Sequence, residues 1–326
     1  MSTAASTRTV IITGANSGIG KAAAHRFAAQ GWQVVMACRS LDSGRRAQQE
    51  IMEATSNPGV RLTRLDVSSF ASIRQFCTEF TASYPRLDVL IHNAGYFHHG
   101  IKTYQFSPDG LELTFATNLF GPLLMTELLL EHLARSDDAR VLNAGSTNMK
   151  HFFDPKREIE FDNLQGEFAG SRPYSVYKMY GDSKMGLLLL TYRMAEEYRA
   201  KGIKVNSVMI PATKVSGETL NRFTGYYRML GPLVLNLNPF ALTPEQMAGC
   251  YYQICTSAEF REVTGVLIDS KCRIILPAEE KPLGELGVIR ELWNTRHVPA
   301  YASNPANVEQ MWNLSRAVIS KALARG

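Results

Sequence analysis

A short β-branched run, TVIIT at residues 9–13, leads at once into a glycine-rich turn and then into an alanine-rich stretch at residues 21–30. A strand that enters a helix through glycines leaves few architectures open. Gly14, Gly18 and Gly20 let the backbone turn sharply and approach a phosphate, while the first turn of the helix offers unpaired N–H groups and the positive end of its dipole. The arrangement predicts a dinucleotide-binding turn at the first strand–helix junction of the chain.

The alternation continues. Strand-like runs at residues 33–38, 61–65, 87–92, 139–144, 203–210 and 266–269 are separated by helical patterns at residues 42–54, 69–84, 109–134, 180–200 and 243–256. Such alternation predicts an α/β fold: a single Rossmann-type, doubly wound parallel β-sheet of about seven strands flanked by helices. At 326 residues and 45% apolar side chains, the chain is long enough to bury it. We assign residues 1–275 to this catalytic domain and residues 276–326 to a C-terminal extension. The extension ends in an amphipathic helix over residues 307–324, with Val308, Met311, Trp312, Leu314 and Ala317 at helical spacing and packed back on the domain.

Lysine and arginine exceed aspartate and glutamate by 35 − 30 = 5, spread along the chain without a basic block, so no nucleic-acid partner is expected. Cys38, Cys77, Cys250, Cys255 and Cys272 are odd in number and scattered, so a reduced compartment without structural zinc is expected. His92, His98 and His99 lie close together but have no acidic or cysteine partner at metal-ligand spacing, and no metal site is expected. The first ten residues lack the zones of a signal peptide. Unbroken aliphatic runs such as residues 187–190 fall short of the ~20 residues of a membrane span. A soluble, cytoplasmic protein is the expectation.

Particular side chains carry the chemistry. Arg39 ends the second strand and no acid follows until Asp42, which favours the 2′-phosphate of NADP(H) over the bare ribose of NAD(H). Asn93, Ala94 and Gly95 are small enough for the chain to pass beneath a cofactor. Pro122 interrupts the long helix and cannot donate to the carbonyl four residues back, which frees that of Asn118. Ser146 ends the fifth strand, before a polar stretch at residues 148–172 that is long for a connection. Tyr180 and Lys184 stand one helical turn apart on one face, where a lysine would lower the phenol's ordinary pKa of ~10. Tyr174 and Lys178 repeat that spacing. The apolar stretch at residues 229–240, MLGPLVLNLNPF, predicts a buried lid or an exposed binding surface and an apolar substrate.

TGANSGIG at residues 13–20, Asp66–Val67, NAG at residues 93–95, Asn118, Ser146 and YGDSK at residues 180–184 together resemble the short-chain dehydrogenase/reductase superfamily over residues 9–275. EIEFDNLQGE, TPEQMAGCYYQ and MWNLS resemble its retinol-dehydrogenase and WW-domain-oxidoreductase type. The resemblance implies that Gly14, Asn16, Ser17, Gly18, Ile19 and Gly20 cradle NADP(H). Arg39, Asp66, Val67, Asn93, Ala94, Gly95, Pro211 and Thr213 complete the cofactor site, together with Tyr180 and Lys184. It also implies that Tyr180 moves the proton of the substrate oxygen, Ser146 hydrogen-bonds that oxygen, and Lys184 lowers the tyrosine pKa and holds the nicotinamide ribose. Asn118 would bind, through its carbonyl, a water leading to Lys184. Ser183 fits the family's Y-x-x-S-K form and selects Tyr180 over Tyr174.

Relatives often pair through the two long helices, here those around Asn118 and Tyr180, so the resemblance makes a homodimer an expectation. Two features depart from the pattern: Ala212 follows Pro211 where the family has glycine, and Gly145 precedes Ser146 where a second serine is commoner, 180 − 146 = 34 residues before Tyr180. The function expected is hydride transfer between nicotinamide and a carbonyl or alcohol carbon of an apolar ketone, aldehyde or alcohol. The alternatives are a carbon–carbon double-bond reductase and an NADPH-binding sensor or scaffold without turnover.

Overall fold

All five residues of β1 (Thr9–Thr13) are buried, as in a strand covered on both faces. The computed structural model describes residues 7–150, 158–214, 241–277 and 297–324, so the apolar stretch at residues 229–240 lies outside the described residues. β1 pairs in parallel with β2 (Gln33–Cys38) on one side and with β4 (Val89–His92) on the other, with Ile11 between Val35 and Leu90. β3 (Val60–Arg64) extends the sheet beyond β2. Beyond β4 follow β5 (Arg140–Ala144), β6 (Lys204–Val208) and β7 (Leu267–Ile268), all parallel.

The order is β3-β2-β1-β4-β5-β6-β7 and then two further strands, β8 (Ile274–Pro277), antiparallel to β7, and β9 (His297–Val298), parallel to β8. The parallel core agrees with the expectation, but among the described residues the sheet has nine strands where about seven were expected. The extra two are short: β8 exposes Ile274 and Leu276, and β9 is two residues long, so neither shows the buried apolar run that marks the inner strands.

Helices cover both faces because alternate residues of β1 point to opposite sides. Val10 and Ile12 meet α1 (Gly18–Ala28), α2 (Leu41–Thr55) and α7 (Pro244–Thr256). Ile11 meets the other layer, which includes α3 (Phe70–Ser83), α5 (Gly121–Leu133), α6 (Val176–Glu197) and α8 (Pro305–Leu323). Ser40 and Ser69 cap α2 and α3, and Thr243 with Gln246 forms a capping box on α7, so each start is written in its own sequence.

The pattern read as one helix over residues 109–134 resolves into three pieces: α4 (Leu113–Phe115), a π-helical turn at Ala116–Phe120, and α5. Pro122 has no N–H, and the amide of Gly121 reaches back five residues to Ala116, which widens the turn instead of breaking the helix. Residues 109–112 stay outside because their side chains are caps: Asp109 Oδ2 accepts the Phe70 amide at 2.8 Å, and Glu112 accepts those of Thr114 and Phe115. Residues 113–133 are long and apolar enough to cross a membrane, yet 72% of that stretch is buried inside this molecule, where it packs against α3, α6 and α8.

α8 lies across α5 and α6. Its buried residues are Met311, Trp312, Ser315, Ile319 and Ala322, whereas Leu314 and Ala317, expected on that face, are exposed. Ser315 lies four residues after Met311 and three after Trp312, and steps of four and three lead on to Ile319 and Ala322. Leu314, although three residues from Met311, points about 100° around the helix from Ser315 and so lies beyond the edge of that stripe. The guanidinium groups of Arg193 and Arg316 lie over the Trp312 ring, 5.3 and 5.5 Å from its centroid, and Arg316 also pairs with Glu127 at 2.7 Å.

Candidate active site

The chain leaves β1 toward β2 and β3, then returns to β4 and proceeds the other way, which opens a crevice beyond the carboxyl ends of β1 and β4. A cleft of about 670 Å³ lies there. Gly14, Asn16, Ser17, Gly18 and Ile19 line it from the first turn, and Arg39, Asp66 and Val67 from the ends of β2 and β3. Asn93, Ala94 and Gly95 follow β4, and Ser146, Tyr180, Lys184, Pro211 and Thr213 complete the far wall.

Two expected residues do not reach the cleft. Gly20 is buried beneath it, and a Cβ there would lie 2.4 Å from the Gly14 carbonyl oxygen and 2.5 Å from Asn93 Nδ2. Its place is to let α1 pack against the turn. Asn118 is buried behind Gly95, where a Cβ would stand 3.6 Å from both Asn118 Oδ1 and Lys184 Nζ.

The turn suits an anionic diphosphate. Ser17 is the N-cap of α1 but its side chain caps nothing, so the first amides of the helix face the cleft with their dipole. Gly14 holds φ at 67°, with room for a Cβ only 3.1 Å from Ala94 Cα. Gly18 also has positive φ, 54°, but a Cβ would meet nothing within 4 Å, so its role is conformational and not steric. Thr13, which sequence reasoning passed over, staples β4 to β1: its Oγ1 accepts the amides of Asn93 at 3.0 Å and Ala94 at 2.9 Å. Asn93 Nδ2 donates back to the Thr13 carbonyl at 2.9 Å. The Asp66 carboxylate accepts the Ser68 hydroxyl at 2.7 Å and the Ser68 amide at 3.0 Å, which shapes the loop after β3 where it lines the cleft.

The catalytic corner departs from expectation in one respect. The Tyr180 phenol is raised, not lowered, because burial disfavours the phenolate; its hydrogen bond with the Ser146 hydroxyl opposes that rise. Lys184 does not sit on the phenol oxygen. Its Nζ donates to the Ala144 carbonyl at 2.7 Å and lies 5.7 Å from the Tyr180 ring centroid. Burial in turn lowers the Lys184 ammonium to about 8. The gap of 34 residues between Ser146 and Tyr180 is therefore closed by the fold, and Gly145 is required beside them: a Cβ there would stand 2.8 Å from Met149 Cε and 3.0 Å from the Val208 carbonyl.

The repeated spacing at Tyr174 and Lys178 is accounted for elsewhere. Tyr174 precedes α6 and its hydroxyl meets Thr114 Oγ1 at 3.2 Å and Glu112, while Lys178 pairs with Glu160. Sequence reasoning missed an aromatic wall. The Phe97 ring lies on Tyr180 with centroids 4.5 Å apart and meets His99 edge-on at 4.4 Å, and Tyr177 Oη is 3.1 Å from His99 Nδ1. The only signal was an unassigned aromatic and histidine run after NAG. His92 is a core residue: Nε2 meets Thr126 Oγ1 at 2.8 Å, and burial with the nearby Lys184 charge lowers it to about 3. Among the described residues no cluster of three His, Cys, Asp or Glu could hold a metal ion.

Residues 8–153 match the family model for short chain dehydrogenase. The chain is 32% identical over 292 residues to retinol dehydrogenase 13 of Homo sapiens, spanning 88% of this chain and 82% of that protein. Its fold resembles that of a short chain dehydrogenase from Escherichia coli CFT073 complexed with NADPH, with a TM-score of 0.62 at 21% identity over 81% of this chain and 96% of that one. A protein from Mycobacterium paratuberculosis shares the fold over 96% of this chain and 93% of its own, with a TM-score of 0.64 at 24% identity.

Proposed function

The chain belongs to the short-chain dehydrogenase/reductase superfamily, of the retinol dehydrogenase type, and is an oxidoreductase; from that premise we propose that it is an NADP(H)-dependent enzyme acting on a carbonyl or alcohol carbon of an apolar substrate, with Tyr180 as general acid and base. The observation that carries this reading is that Ser146, Tyr180 and Lys184 line one wall of the same cleft as the glycine turn. The α1 amides from Gly18 onward hold the diphosphate, and Arg39 takes the 2′-phosphate in charge-assisted hydrogen bonds. Lys184 holds the ribose hydroxyls. When bound, the nicotinamide supplies or accepts the hydride.

The residues of the chain manage the proton. A phenol kept protonated by burial is ready to donate to a carbonyl oxygen, and Ser146 hydrogen-bonds the same oxygen and orients it. The negative charge that then develops on Tyr180 is stabilised by the Lys184 ammonium one turn along α6. Alcohol oxidation runs the same transfers backward. Phe97, tilted against Tyr180, and Tyr177, edge-on to Phe97, give the substrate an apolar wall.

The test is NADPH binding by fluorescence, followed by NADPH consumption with apolar ketones, aldehydes and enones. Tyr180→Phe should keep cofactor affinity and lose turnover by roughly 10²–10⁴-fold. Near-normal turnover in that variant would remove Tyr180 from its role, and reduction of the alkene of an enone would reassign the reaction to carbon–carbon double bonds.

A further inference from the structure

Cys250 and Cys272 belong to no sequence motif and stand 22 residues apart, yet the fold places their sulfur atoms 3.2 Å from each other. Cys250 is on the buried face of α7, and Cys272 is in the turn between β7 and β8. That turn is firmly built. The Asp269 carboxylate accepts the amides of Lys271 at 2.8 Å and Arg273 at 2.9 Å and pairs with Arg273 Nε at 2.8 Å.

Within the turn Cys272 holds φ at 60°, the left-handed region in which a side chain is strained and glycine or asparagine would ordinarily stand. The strained position is the one that directs its sulfur at Cys250. Strain of this kind persists only where the surrounding structure over-determines it, and it is a pointer to chemistry at the residue. Accessibility separates the two thiols: Cys272 is partly exposed and Cys250 is buried. The other three cysteines are buried and without a thiol neighbour among the described residues, and burial pushes each of them up to about 12. A hydrogen bond with the Cys250 thiol instead lowers Cys272, which favours its thiolate.

We propose that Cys250 and Cys272 form a reversible thiol–disulfide site whose co-substrate is a hydroperoxide or a small-molecule disulfide. With hydrogen peroxide, the partly exposed Cys272 thiolate attacks one oxygen, the O–O bond breaks, and a sulfenic acid and one water result. Cys250 then attacks the Cys272 sulfur, the S–O bond breaks, and the second oxygen leaves as water. Two thiols lose two protons and two electrons to the peroxide, which is reduced to two waters. With oxidised glutathione the same two electrons pass through a mixed disulfide, and two glutathione thiols are released.

Closure ties α7 to the β7–β8 turn and draws the sulfurs to about 2.05 Å. The tether reaches toward the cofactor cleft, because the next residue, Tyr251, sets its hydroxyl 3.4 Å from Asn93 Oδ1 beneath the glycine turn. This inference does not rest on the proposed reaction; it stands on the thiol geometry alone.

The experiment uses the full chain. Folded protein is treated with hydrogen peroxide or oxidised glutathione, remaining thiols are alkylated after denaturation, and tryptic peptides are mapped by tandem mass spectrometry. The expected result is a Cys250–Cys272 cross-link that dithiothreitol reverses, with the other three cysteines alkylated. The oxidised protein should melt roughly 5 °C higher, as expected for closing a loop of this length. Cys272→Gly, which relieves the positive φ and should fold at least as stably, should show neither effect. Five alkylated cysteines after treatment, a cross-link to Cys38, Cys77 or Cys255, or a glutathione adduct that stays on Cys272 would each overturn the proposal.

Discussion

Asn118 and Ser183, 65 residues apart, are joined by a 3.0 Å hydrogen bond that ties the π-turn before α5 to α6, one residue short of Lys184. The same Asn118 side chain accepts the Tyr96 amide at 2.7 Å and donates to the Tyr96 carbonyl at 3.1 Å. One fully buried amide therefore fixes the loop after β4, the π-turn and the helix that carries Tyr180. The sequence pointed to the backbone carbonyl of Asn118; the side chain is what the fold uses to join these elements.

Asn118→Ala should leave the Tyr96 amide and carbonyl without these buried partners. Each such group costs about 1–3 kcal/mol, so urea denaturation should show a loss of roughly 2–4 kcal/mol, with turnover reduced because α6 and the Gly95 loop are no longer held together. A variant with unchanged stability would mean that water replaces the amide and that the junction is not held by this residue.

Gly20→Ala and Gly18→Ala separate the two duties of the turn. At residue 20 a Cβ would be driven to 2.4 Å from the Gly14 carbonyl oxygen, so α1 must move and NADPH affinity should fall by more than 100-fold, or the protein should fail to fold. At residue 18 nothing lies within 4 Å of a Cβ, and only the φ of 54° is unfavourable, which costs about 1 kcal/mol. Titration of both variants with NADPH checks the order; equal effects would mean that steric contact beneath the turn does not set the affinity.

The strand–turn–helix opening was legible because its information is local: β-branched residues, then glycines where the backbone takes positive φ, then a helix start. The relation of Tyr180 to Lys184 was legible for the same reason, as a single helical turn. What escaped was non-local. Phe97 reaches Tyr180, and Cys250 reaches Cys272, only through crossovers that no spacing encodes. The direction of the Tyr180 shift also escaped, since desolvation depends on burial by residues from several elements, while the cation seen in the sequence is bound to the Ala144 carbonyl instead. Likewise Leu314 reads as part of the packed face, an apolar residue at helical spacing, and only the packing of α8 on α5 and α6 shows that the buried stripe runs through Ser315 and leaves Leu314 outside.

Arg39 lines the cleft just beyond β2, where a ribose phosphate would lie. Arg39→Ala should weaken NADPH binding about 10–100-fold, the loss of charge-assisted hydrogen bonds worth about 1.5–3 kcal/mol, and leave NADH binding within a few-fold. Fluorescence titration with both coenzymes decides the matter. Equal losses would show that Arg39 supports the loop and does not read the phosphate.

Lys184 makes stability and activity pull in opposite directions. Burial lowers its ammonium from the usual 10.5 to about 8, so a folded protein at pH 7 holds a buried charge that the unfolded chain hydrates freely. The difference corresponds to roughly 3 kcal/mol of destabilisation below pH 8. Between pH 8 and 10.5 the unfolded chain keeps a proton that the folded protein has released, so stability contributed at this residue rises with pH across that window. Lys184→Met removes the penalty but also the 2.7 Å hydrogen bond to the Ala144 carbonyl, worth about 1 kcal/mol. The variant should therefore be more stable than the parent by about 1–2 kcal/mol at pH 7, inactive in NADPH turnover, and should lose its advantage as the pH approaches 10. Urea denaturation of both proteins at pH 7, 8.5 and 10 measures this directly. A stability difference that does not change with pH would mean that Lys184 keeps its ordinary pKa in the folded protein.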